Sequence, residues 1–405
     1  MKKMSRMKKL CCATLILGMM LPQVVGSGDV SEAASGTWRH TSKGWWYSYS
    51  DGSYAVNDWV QYGGKGYYFG ADGYMVTGWK QIAKKWYFFD KNGAMVTGWK
   101  QDGGKWYYFG TNGAMVTGWK LIGRKWYFFA NGVMVTDWKQ ISGKWYFFSN
   151  GAMVTGAKTI KGKAYLFDDD GVWIDLSKLK AGDVITLGEY EQDNNLSNGQ
   201  EPIEWTVLDK RSDGKLLVVS KYILDGRKYN DEDIDVTWET CTLRKWMNST
   251  FLNTAFTEEE QALIPNVIIK NADNPEYGIA GGNDTKDQVF LLSYDEAKKY
   301  YKDKVYNDPE EYPEDWIYSD KRKCTPTAYA EAQKVRKYVY EDWMEYPDYL
   351  NADGGLWWLR SPGSESDQAM VTYYDGHVWE EGYNVDFVSY YLEIIGVRPA
   401  MYITP

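Results

Sequence analysis

The chain has 405 residues, of which 17% are aromatic, and its formal net charge is −9. This length allows two or three domains, and so high an aromatic fraction needs a structural or functional reason. Basic residues are in excess up to about residue 175 and acidic residues dominate the remainder; because an acidic half repels phosphate, nucleic acid is not expected as a partner.

The N-terminus has the pattern of an export signal. Basic residues precede an apolar stretch from Leu10 to Leu21, and small residues follow. We therefore assign residues 1–34 to a signal peptide and a short linker, with cleavage after Gly26 or after Ala33. No other stretch approaches the roughly 20 apolar residues of a membrane-spanning helix. The mature protein is predicted to be secreted, to lack a membrane span and to act at the cell wall or cell surface.

Residues 36–173 are predicted to form a domain of repeated β-hairpins. Leading tryptophans recur every 19 or 20 residues from Trp59, and each unit then has an aromatic strand such as Lys85–Phe89, an Asn-Gly or Asp-Gly pair, and a segment such as 95–97. These dipeptides tolerate positive φ at both central positions of a type I′ turn. A single hairpin is only marginally stable, so successive hairpins are expected to stack into an all-β solenoid. The pairs are Asp51-Gly52, Asp72-Gly73, Asn92-Gly93, Asn112-Gly113, Asn131-Gly132, Asn150-Gly151 and Asp170-Gly171.

Both faces of each aromatic strand carry rings. Alternation along a strand places Trp86 and Phe88 on one face, and Tyr87 and Phe89 on the other. One interpretation is that all of these rings form the solenoid core. We favour the alternative, in which some rings stay open for a ligand, because so thin a solenoid has too little interior for so many indoles.

The repeats resemble a known family. The segments Gly-Trp-Lys, Trp-Tyr-Phe-Phe and Asn-Gly-Ala-Met-Val-Thr-Gly-Trp, between about residues 44 and 173, are similar to the choline-binding, or cell-wall-binding, repeats of Gram-positive surface proteins. Related repeats in glucan-binding enzymes and clostridial toxins bind carbohydrate. The resemblance therefore implies a cell-wall polymer as partner, either choline-bearing teichoic acid or a glycan.

The resemblance also implies where the ligand sites lie. Each site would take the leading and second aromatic residues of one hairpin and the second aromatic residue of the next, with Met75, Met95, Met115 and Met134 nearby. The implied sites are Trp59, Tyr67 and Trp86; Trp79, Trp86 and Trp106; Trp99, Trp106 and Trp126; and Trp119, Trp126 and Trp145.

Aromatic sites suit such ligands. A quaternary ammonium has no hydrogen to donate, so ring faces recognise it, and each contact contributes about 0.5 to 2 kcal/mol when desolvated. One site is weak, but several sites on one polymer raise the avidity through a high effective concentration. A sugar would stack its C–H faces on the same rings.

The two ends of the repeat domain depart from the pattern. Ala157 and Ala164 replace both tryptophans of the last unit, so residues 157–173 are predicted to be a cap without a site. Trp45 and Trp46 are interpreted as an opening cap.

Residues 176–405 are predicted to form a separate α+β domain. The segments 182–188, 203–208 and 215–220 have the apolar patterns of strands. Helix starts are predicted at Thr257 with Glu260, at Ser293 with Glu296, and at Thr325-Pro326, the last opening a long run through Val335 to Trp343.

The acidic half also resembles a known family. The segments 201–208, 237–244, 357–363 and 396–400 are similar to the uncharacterised DUF6273 domain, over about residues 178–404. The closing Trp-Leu-Arg and Val-Arg-Pro-Ala segments resemble, more distantly, the C-type-lectin-like fold of sulfatase-modifying enzymes. The cysteine chemistry of those enzymes does not carry over, because no cysteine follows Cys324. The family implies no established activity.

The acidic half shows no recognisable catalytic motif. It has no Gly-x-Ser-x-Gly elbow, His-Glu-x-x-His pair or phosphate loop, and a conventional hydrolase triad would have to include His377. A pair of carboxylates acting as acid and base stays open. The aspartates from Asp231 to Asp235 have the spacing of a calcium loop, but Val236 and Thr242 stand where its glycine and glutamate belong. No metal and no cofactor are expected, and the catalytic residues, if any, are unknown.

Two further pairs of residues have structural interpretations. Cys241 and Cys324 could form a disulfide or stay as buried thiols, and both alternatives are open. Arg360 and Arg398 are expected to pair with buried carboxylates or carbonyls rather than with a ligand.

The predicted function is that of a secreted cell-surface protein. Its aromatic repeats attach it non-covalently to a wall polymer, and its C-terminal domain binds an unidentified partner. The alternative is a wall-tethered hydrolase that uses carboxylate catalysis in residues 176–405.

Overall fold

The computed structural model describes residues 35–301, 304–305, 317–319, 321–336, 354–389 and 392–405. The predicted signal peptide of residues 1–34 lies outside them. In this described part, no helix is long and apolar enough to cross a membrane. The chain divides into two compact units: unit 1 is Met1–Val154 with Asp169–Val172, and unit 2 is Thr155–Asp168 with Trp173–Pro405.

The repeats fold into antiparallel hairpins, as predicted. The described residues form seven, which we number hairpin 1 to hairpin 7 in chain order; hairpins 1 to 6 lie in unit 1 and hairpin 7 lies in unit 2. Their strands are Gly36–Thr41 with Gly44–Tyr49, Asp58–Tyr62 with Lys65–Phe69, Gly78–Ile82 with Lys85–Phe89, Gly98–Asp102 with Lys105–Phe109, Gly118–Ile122 with Lys125–Ala130, Asp137–Ile141 with Lys144–Ser149, and Gly156–Ile160 with Lys163–Phe167. Hairpins 5, 6 and 7 gain a short third strand, at Val133–Met134, Ala152–Met153 and Trp173–Ile174.

The tight turn of each hairpin lies where the sequence analysis did not place it. In hairpin 3 the two main strands are joined by Ala83 and Lys84, which both have positive φ, 47° and 64°, as in a type I′ turn. The Asn-Gly pair instead follows the second strand and leads only to a single bridge between Phe89 and Met95. Alanine and lysine seldom adopt this backbone conformation, so these residue types carry no turn signal.

Repeat length decides the conformation at the Asn-Gly pairs. In hairpin 3, with a 20-residue repeat, the Gly93 N–H donates to the Asp90 carbonyl (2.9 Å) and the Asp90 N–H to the Ala94 carbonyl (2.8 Å). This is a three-residue loop closed by a left-handed glycine, with φ of 79° at Gly93. Asn131-Gly132 and Asn150-Gly151, in 19-residue repeats, have positive φ at both residues. The type I′ prediction is therefore correct at these two pairs and wrong in the longer repeats, where one extra residue changes the loop.

Each of these turn glycines also receives a methionine of the preceding repeat. A Cβ built on Gly113 would lie 2.0 Å from the Sδ of Met95, so only glycine fits. The Met115 N–H, moreover, donates to the carbonyl of Trp86 in the preceding hairpin (2.8 Å). Together these contacts hold consecutive hairpins in place. The glycine–methionine contact recurs for Gly93 on Met75, Gly132 on Met115, Gly151 on Met134 and Gly171 on Met153.

One phenylalanine per repeat forms the core of unit 1. Phe89 is 0% exposed and Phe109 is 1% exposed. Each packs against the leading tryptophan of the preceding hairpin, and the ring centroids of Phe109 and Trp79 are 5.6 Å apart. The phenylalanines in this role are Phe69, Phe89, Phe109, Phe129 and Phe148.

Hairpin 7 packs against the core of unit 2. Leu166 is fully part of this core, Ala157 and Ala164 pack against it, and the Lys158 ammonium pairs with the carboxylate of Glu259. Alanines stand where other hairpins have tryptophans because this face meets protein. The structure thus groups hairpin 7 with the acidic half, whereas the sequence analysis placed the boundary between residues 173 and 176.

Two five-stranded sheets form the frame of unit 2, as expected for an α+β domain. The predicted strands are confirmed to within two residues at each end. The first sheet has the order Val184–Tyr190, Glu201–Lys210, Leu216–Ser220, Ala400–Ile403 and Val289–Phe290. The second has the order Asp225–Gly226, Gly396–Val397, Trp357–Pro362, Gln368–Thr372 and Val378–Asn384. Two-stranded ribbons pair Val267–Ile269 with Thr285–Asp287, and Lys304–Val305 with Ile317–Tyr318.

The helices of unit 2 are short. Complete capping boxes at Thr257 and Ser293 confirm two predicted helix starts. The helix predicted from Thr325-Pro326 is only Ala328–Ala332, because Lys334 at φ 70° ends it; residues 337–343 of that prediction lie outside the described chain. The other helical segments are Leu176–Lys178, Thr242–Trp246, Met247–Phe251, Leu252–Ala255, Glu258–Gln261 and Tyr294–Tyr300.

Two buried arginines of unit 2 have partners inside the protein. Arg360, 4% exposed, pairs with Glu296 and donates to the Leu291 carbonyl (2.6 Å). Arg398 donates to the Ser220 carbonyl (3.1 Å). Both arginines therefore stabilise the fold, as expected.

The two cysteines of unit 2 are free, buried thiols rather than a disulfide. Burial raises the pKa of both, that of Cys241 to about 12. Cys241 also caps a helix by accepting the Arg244 N–H.

Candidate functional site

Consecutive hairpins of unit 1 leave an aromatic space between them. The register of hairpin 3 pairs Trp79 with Phe88 and Gln81 with Trp86, so both tryptophans project from one face. Hairpin 4 meets this face with its own Tyr107. We call the space between hairpins 1 and 2 crevice 1, and number the following spaces in order up to crevice 5, between hairpins 5 and 6.

The two tryptophans of a hairpin meet at a right angle. In crevice 3, Trp79 and Trp86 have ring centroids 6.3 Å apart and planes at 81°. The corresponding values are 6.1 Å and 87° for Trp99 with Trp106 in crevice 4. In crevice 5, Trp119 and Trp126 repeat the arrangement at 6.4 Å and 87°. Such a corner offers two π systems to one cation, which is how ring faces recognise a quaternary ammonium.

These rings keep part of their surface open to solvent. Trp86 is 42% exposed, Trp106 40%, Trp145 42% and Trp99 38%. The interpretation that every ring is core is therefore wrong: one phenylalanine per repeat is core, and the tryptophans line open crevices. The other predicted ligand residues are half-buried, namely Trp59, Tyr67, Trp79, Trp119 and Trp126.

The third ring of each crevice is a tyrosine and not the predicted tryptophan. Tyr107 lies 4.8 Å from Trp79 between ring centroids, whereas Trp106, its neighbour on the strand, points to the opposite face. Among the described residues, no ring contact joins Trp86 to Trp106 or Trp106 to Trp126. The predicted sets led by Trp79, Trp99 and Trp119 are therefore split, because two members share a crevice and the third lies on the opposite face of the next hairpin. The members of the first set, Trp59, Tyr67 and Trp86, lie in three different crevices. The tyrosines are Tyr67, Tyr87, Tyr107, Tyr127 and Tyr146 in crevices 1 to 5.

Hairpin 2 lacks a second tryptophan. In hairpin 3 the second tryptophan, Trp86, pairs with Gln81. The equivalent pair in hairpin 2 is Gln61 with Gly66, so Gly66 and not Tyr67 occupies the position of the second tryptophan. The sequence alignment of Tyr67 with the second tryptophans is off by one residue. Tyr67 instead closes crevice 1, 4.9 Å from Trp38. Crevice 2 therefore holds Trp59 without a right-angled partner.

Hairpin 1 contains a tryptophan pair that the sequence analysis missed. Trp38 and Trp45 have centroids 6.3 Å apart and planes at 81°, as in crevice 3. The prediction of an opening cap without this pair is thus incomplete. The signal was the seven-residue spacing of Trp38 and Trp45, which also separates Trp79 from Trp86.

Side chains of the following hairpin complete the crevices. The Met75 and Met115 N–H groups donate to the carbonyls of Trp45 and Trp86, so these methionines lie beside the second tryptophans as the resemblance implied. The ammonium of Lys100 lies 4.6 Å from the ring centroid of Phe88. A ring face of crevice 3 thus already holds one cationic group of the protein.

Two groups of titratable residues in unit 2 are candidates for a functional site. Burial lowers the pKa of His377, whose ring packs beside Tyr373 and Trp379. In the described part of the chain, Glu191, Asp193 and Glu201 are grouped closely enough to hold a metal ion. Yet their carboxylates already accept backbone N–H groups, for example that of Gln192 at Glu201. We assign no site to either group.

Comparisons with known proteins agree with the two sequence resemblances. The model of the choline-binding repeat family matches residues 56–97, 76–117, 96–137 and 116–155. The model of the domain of unknown function DUF6273 matches residues 213–405. No curated protein matches the chain.

Several solved structures are similar to part of the chain. CbpJ from Streptococcus pneumoniae TIGR4 is 32% identical, with 35% of this chain and 53% of that chain covered and a TM-score of 0.34. Choline-binding protein F from Streptococcus pneumoniae, in the presence of a peptidoglycan analogue, is 37% identical (34% and 51% covered, TM-score 0.32). The multimodular pneumococcal cell wall endolysin from phage Cp-1, complexed with choline, is 40% identical (32% and 39% covered, TM-score 0.23). The chain spans about half of their length or less.

Proposed function

We propose that this chain, which carries choline-binding repeats followed by a DUF6273 domain, is a secreted protein held non-covalently on a choline-bearing wall polymer. The observation that carries the proposal is the right-angled, solvent-open tryptophan pair of crevices 1, 3, 4 and 5. The C-terminal domain is displayed at the surface, where it binds a partner.

The crevices favour choline over a sugar as the ligand. A sugar stacks flat on a ring and is held by hydrogen bonds to side chains around it. The tryptophan pair instead forms a narrow corner, closed by a tyrosine and floored by a buried phenylalanine, as with Phe109 in crevice 3. Such a corner surrounds a compact apolar cation with ring faces.

Retention on a choline-bearing resin tests the proposal. We expect the full chain to bind immobilised choline and to be eluted by free choline, because several weak crevices act together. A glycan array run in parallel covers the carbohydrate alternative. Passage through the resin without delay, together with binding to the array, would contradict choline as the ligand.

The crevices are not equivalent, and crevice 2 is expected to be the weakest. Trp59→Ala should leave the number of choline molecules bound per chain unchanged, whereas Trp99→Ala should lower it by about one. Trp59 and Trp99 pack alike on the tyrosine and phenylalanine of the next hairpin, so their structural losses are matched. Isothermal titration measures the stoichiometry, and an equal loss in both variants would refute the ranking.

A further inference from the structure

One crevice has a carboxylate where the others have uncharged side chains. The Trp79 indole N–H donates to Asp102 Oδ2 (2.9 Å), so the carboxylate lies against the leading tryptophan of crevice 3. Asp102 is paired with Lys105 next to the turn of hairpin 4. The residue in the equivalent position of hairpin 5, which faces crevice 4, is Ile122. The residues at this position are Tyr62, Ile82, Asp102, Ile122 and Ile141 in crevices 1 to 5.

The basic residues of the crevices do not cancel this difference. Lys100, two residues before Asp102 on the same strand face, extends over Phe88. The position of Lys100 is also occupied by a lysine in crevices 2, 4 and 5. These residues are Lys80, Lys120 and Lys139. Among the described residues, Asp102 makes no ion pair, and its one hydrogen bond is the one from Trp79. What distinguishes crevice 3 is therefore the negative charge.

We propose that Asp102 lets crevice 3 bind ammonium groups that keep an N–H, such as a protonated primary amine. The other crevices bind only the quaternary ammonium, which crevice 3 also accepts. This inference rests on the proposed function, since it concerns the ligand class of the same crevices. A quaternary ammonium gains only Coulomb attraction from the carboxylate. A primary ammonium gains that attraction and a charge-assisted hydrogen bond, while crevices 4 and 5 offer it isoleucine and no acceptor to replace its lost water.

The physical consequence is a mixed-ligand array. Crevice 3 would let the protein hold wall polymers whose substituents end in a primary amine as well as those that carry choline. Binding there should weaken with salt more than at the other crevices, because a charge pair open to solvent is screened over a Debye length of about 10 Å at 0.1 M.

The test resolves crevices one by one in the full chain. The protein is labelled with 15N-tryptophan, and the indole resonances of Trp79 and Trp99 are assigned by Trp79→Phe and Trp99→Phe. Choline and ethanolamine are titrated at low and high salt. We expect ethanolamine to shift the Trp79 resonance at concentrations about tenfold lower than the Trp99 resonance.

Three variants separate charge from positioning. Asp102→Ile and Asp102→Asn should both weaken ethanolamine binding at crevice 3 about tenfold and choline binding about threefold, although asparagine can still accept the indole N–H. The matched variant Ile122→Asp should give crevice 4 the same preference. If Asp102→Asn binds ethanolamine as the unchanged chain does, the carboxylate only orients Trp79 and the proposal is overturned. If crevices 4 and 5 bind choline while crevice 3 shows no amine preference, this inference fails and the proposed function stands. If no crevice responds to choline, the proposed function fails with it.

Discussion

Replacing Trp86, Trp106 and Trp126 together by alanine is expected to abolish retention on a choline resin. Each side chain is one wall of a right-angled corner, and a desolvated cation–ring contact contributes about 0.5 to 2 kcal/mol. Loss of binding at three crevices also removes the avidity that comes from several sites on one polymer, which raises the apparent affinity by about 10²- to 10⁴-fold. The free choline concentration that elutes the protein measures the effect.

This triple variant should still fold. In the described chain, the only aromatic ring that contacts Trp86, Trp106 or Trp126 is the leading tryptophan of the same hairpin. The matched control replaces the exposed residues paired with them, Gln81, Gln101 and Leu121, by alanine. We expect this control to elute near the unchanged chain. Equal retention of both triple variants would show that the corners do not bind choline.

The second large effect is expected from Gly113→Ala in the repeat fold. A left-handed φ of 73° costs alanine about 1 kcal/mol or more, and the new Cβ would overlap the Sδ of Met95. Overpacking of this kind costs about 1 to 3 kcal/mol. We expect hairpins 3 to 5 to lose about 3 kcal/mol of local stability, seen as backbone hydrogen exchange about 100-fold faster there than in the unchanged chain.

A neighbouring glycine separates the two causes. Gly118 has the same φ of 73°, and a Cβ added to it would meet no atom within 4 Å, so Gly118→Ala should show only the smaller backbone effect. Adding Met95→Ala to Gly113→Ala should recover part of the loss by freeing the space. Equal effects of the two single substitutions would mean that the methionine contact does not hold the repeats together.

The repeats could be predicted from the sequence, but the position of their tight turns and one ring of each crevice differ from the prediction. The Asn-Gly pairs are real turns, yet a second tight turn joins the main strands of each hairpin. In hairpin 3 that turn is Ala83-Lys84, whose side chains do not favour positive φ, whereas in hairpins 2 and 4 it is a Gly-Gly pair that signals a turn in the sequence. The aromatic pattern predicts that Tyr67 is equivalent to the second tryptophans, because a tyrosine often replaces a tryptophan in an aromatic repeat. The strand register shows that Gly66 has that position.

In unit 2, the helix starts could be predicted from neighbouring residues, whereas features set by contacts between distant segments could not. Capping boxes at Thr257 and Ser293 depend on residues three apart, so they could be found in the sequence. The helix from Ala328 ends early, at Ala332, because Lys334 turns the chain with a φ of 70° so that Val335 forms a bridge with the distant Ile394. Such a contact leaves no trace in a local pattern.

By itself, the sequence determined that the first half is a stack of hairpins with two tryptophans in most repeats, because period, turn residues and strand alternation are local properties. Only the tertiary structure decided which rings share a crevice, since a shift of one residue in register moves a side chain to the opposite face. It also decided that hairpin 7 belongs to unit 2 and packs on its core, and that one carboxylate, Asp102, lies against the indole of Trp79. Those contacts join residues that are far apart along the chain, and folding alone brings them together.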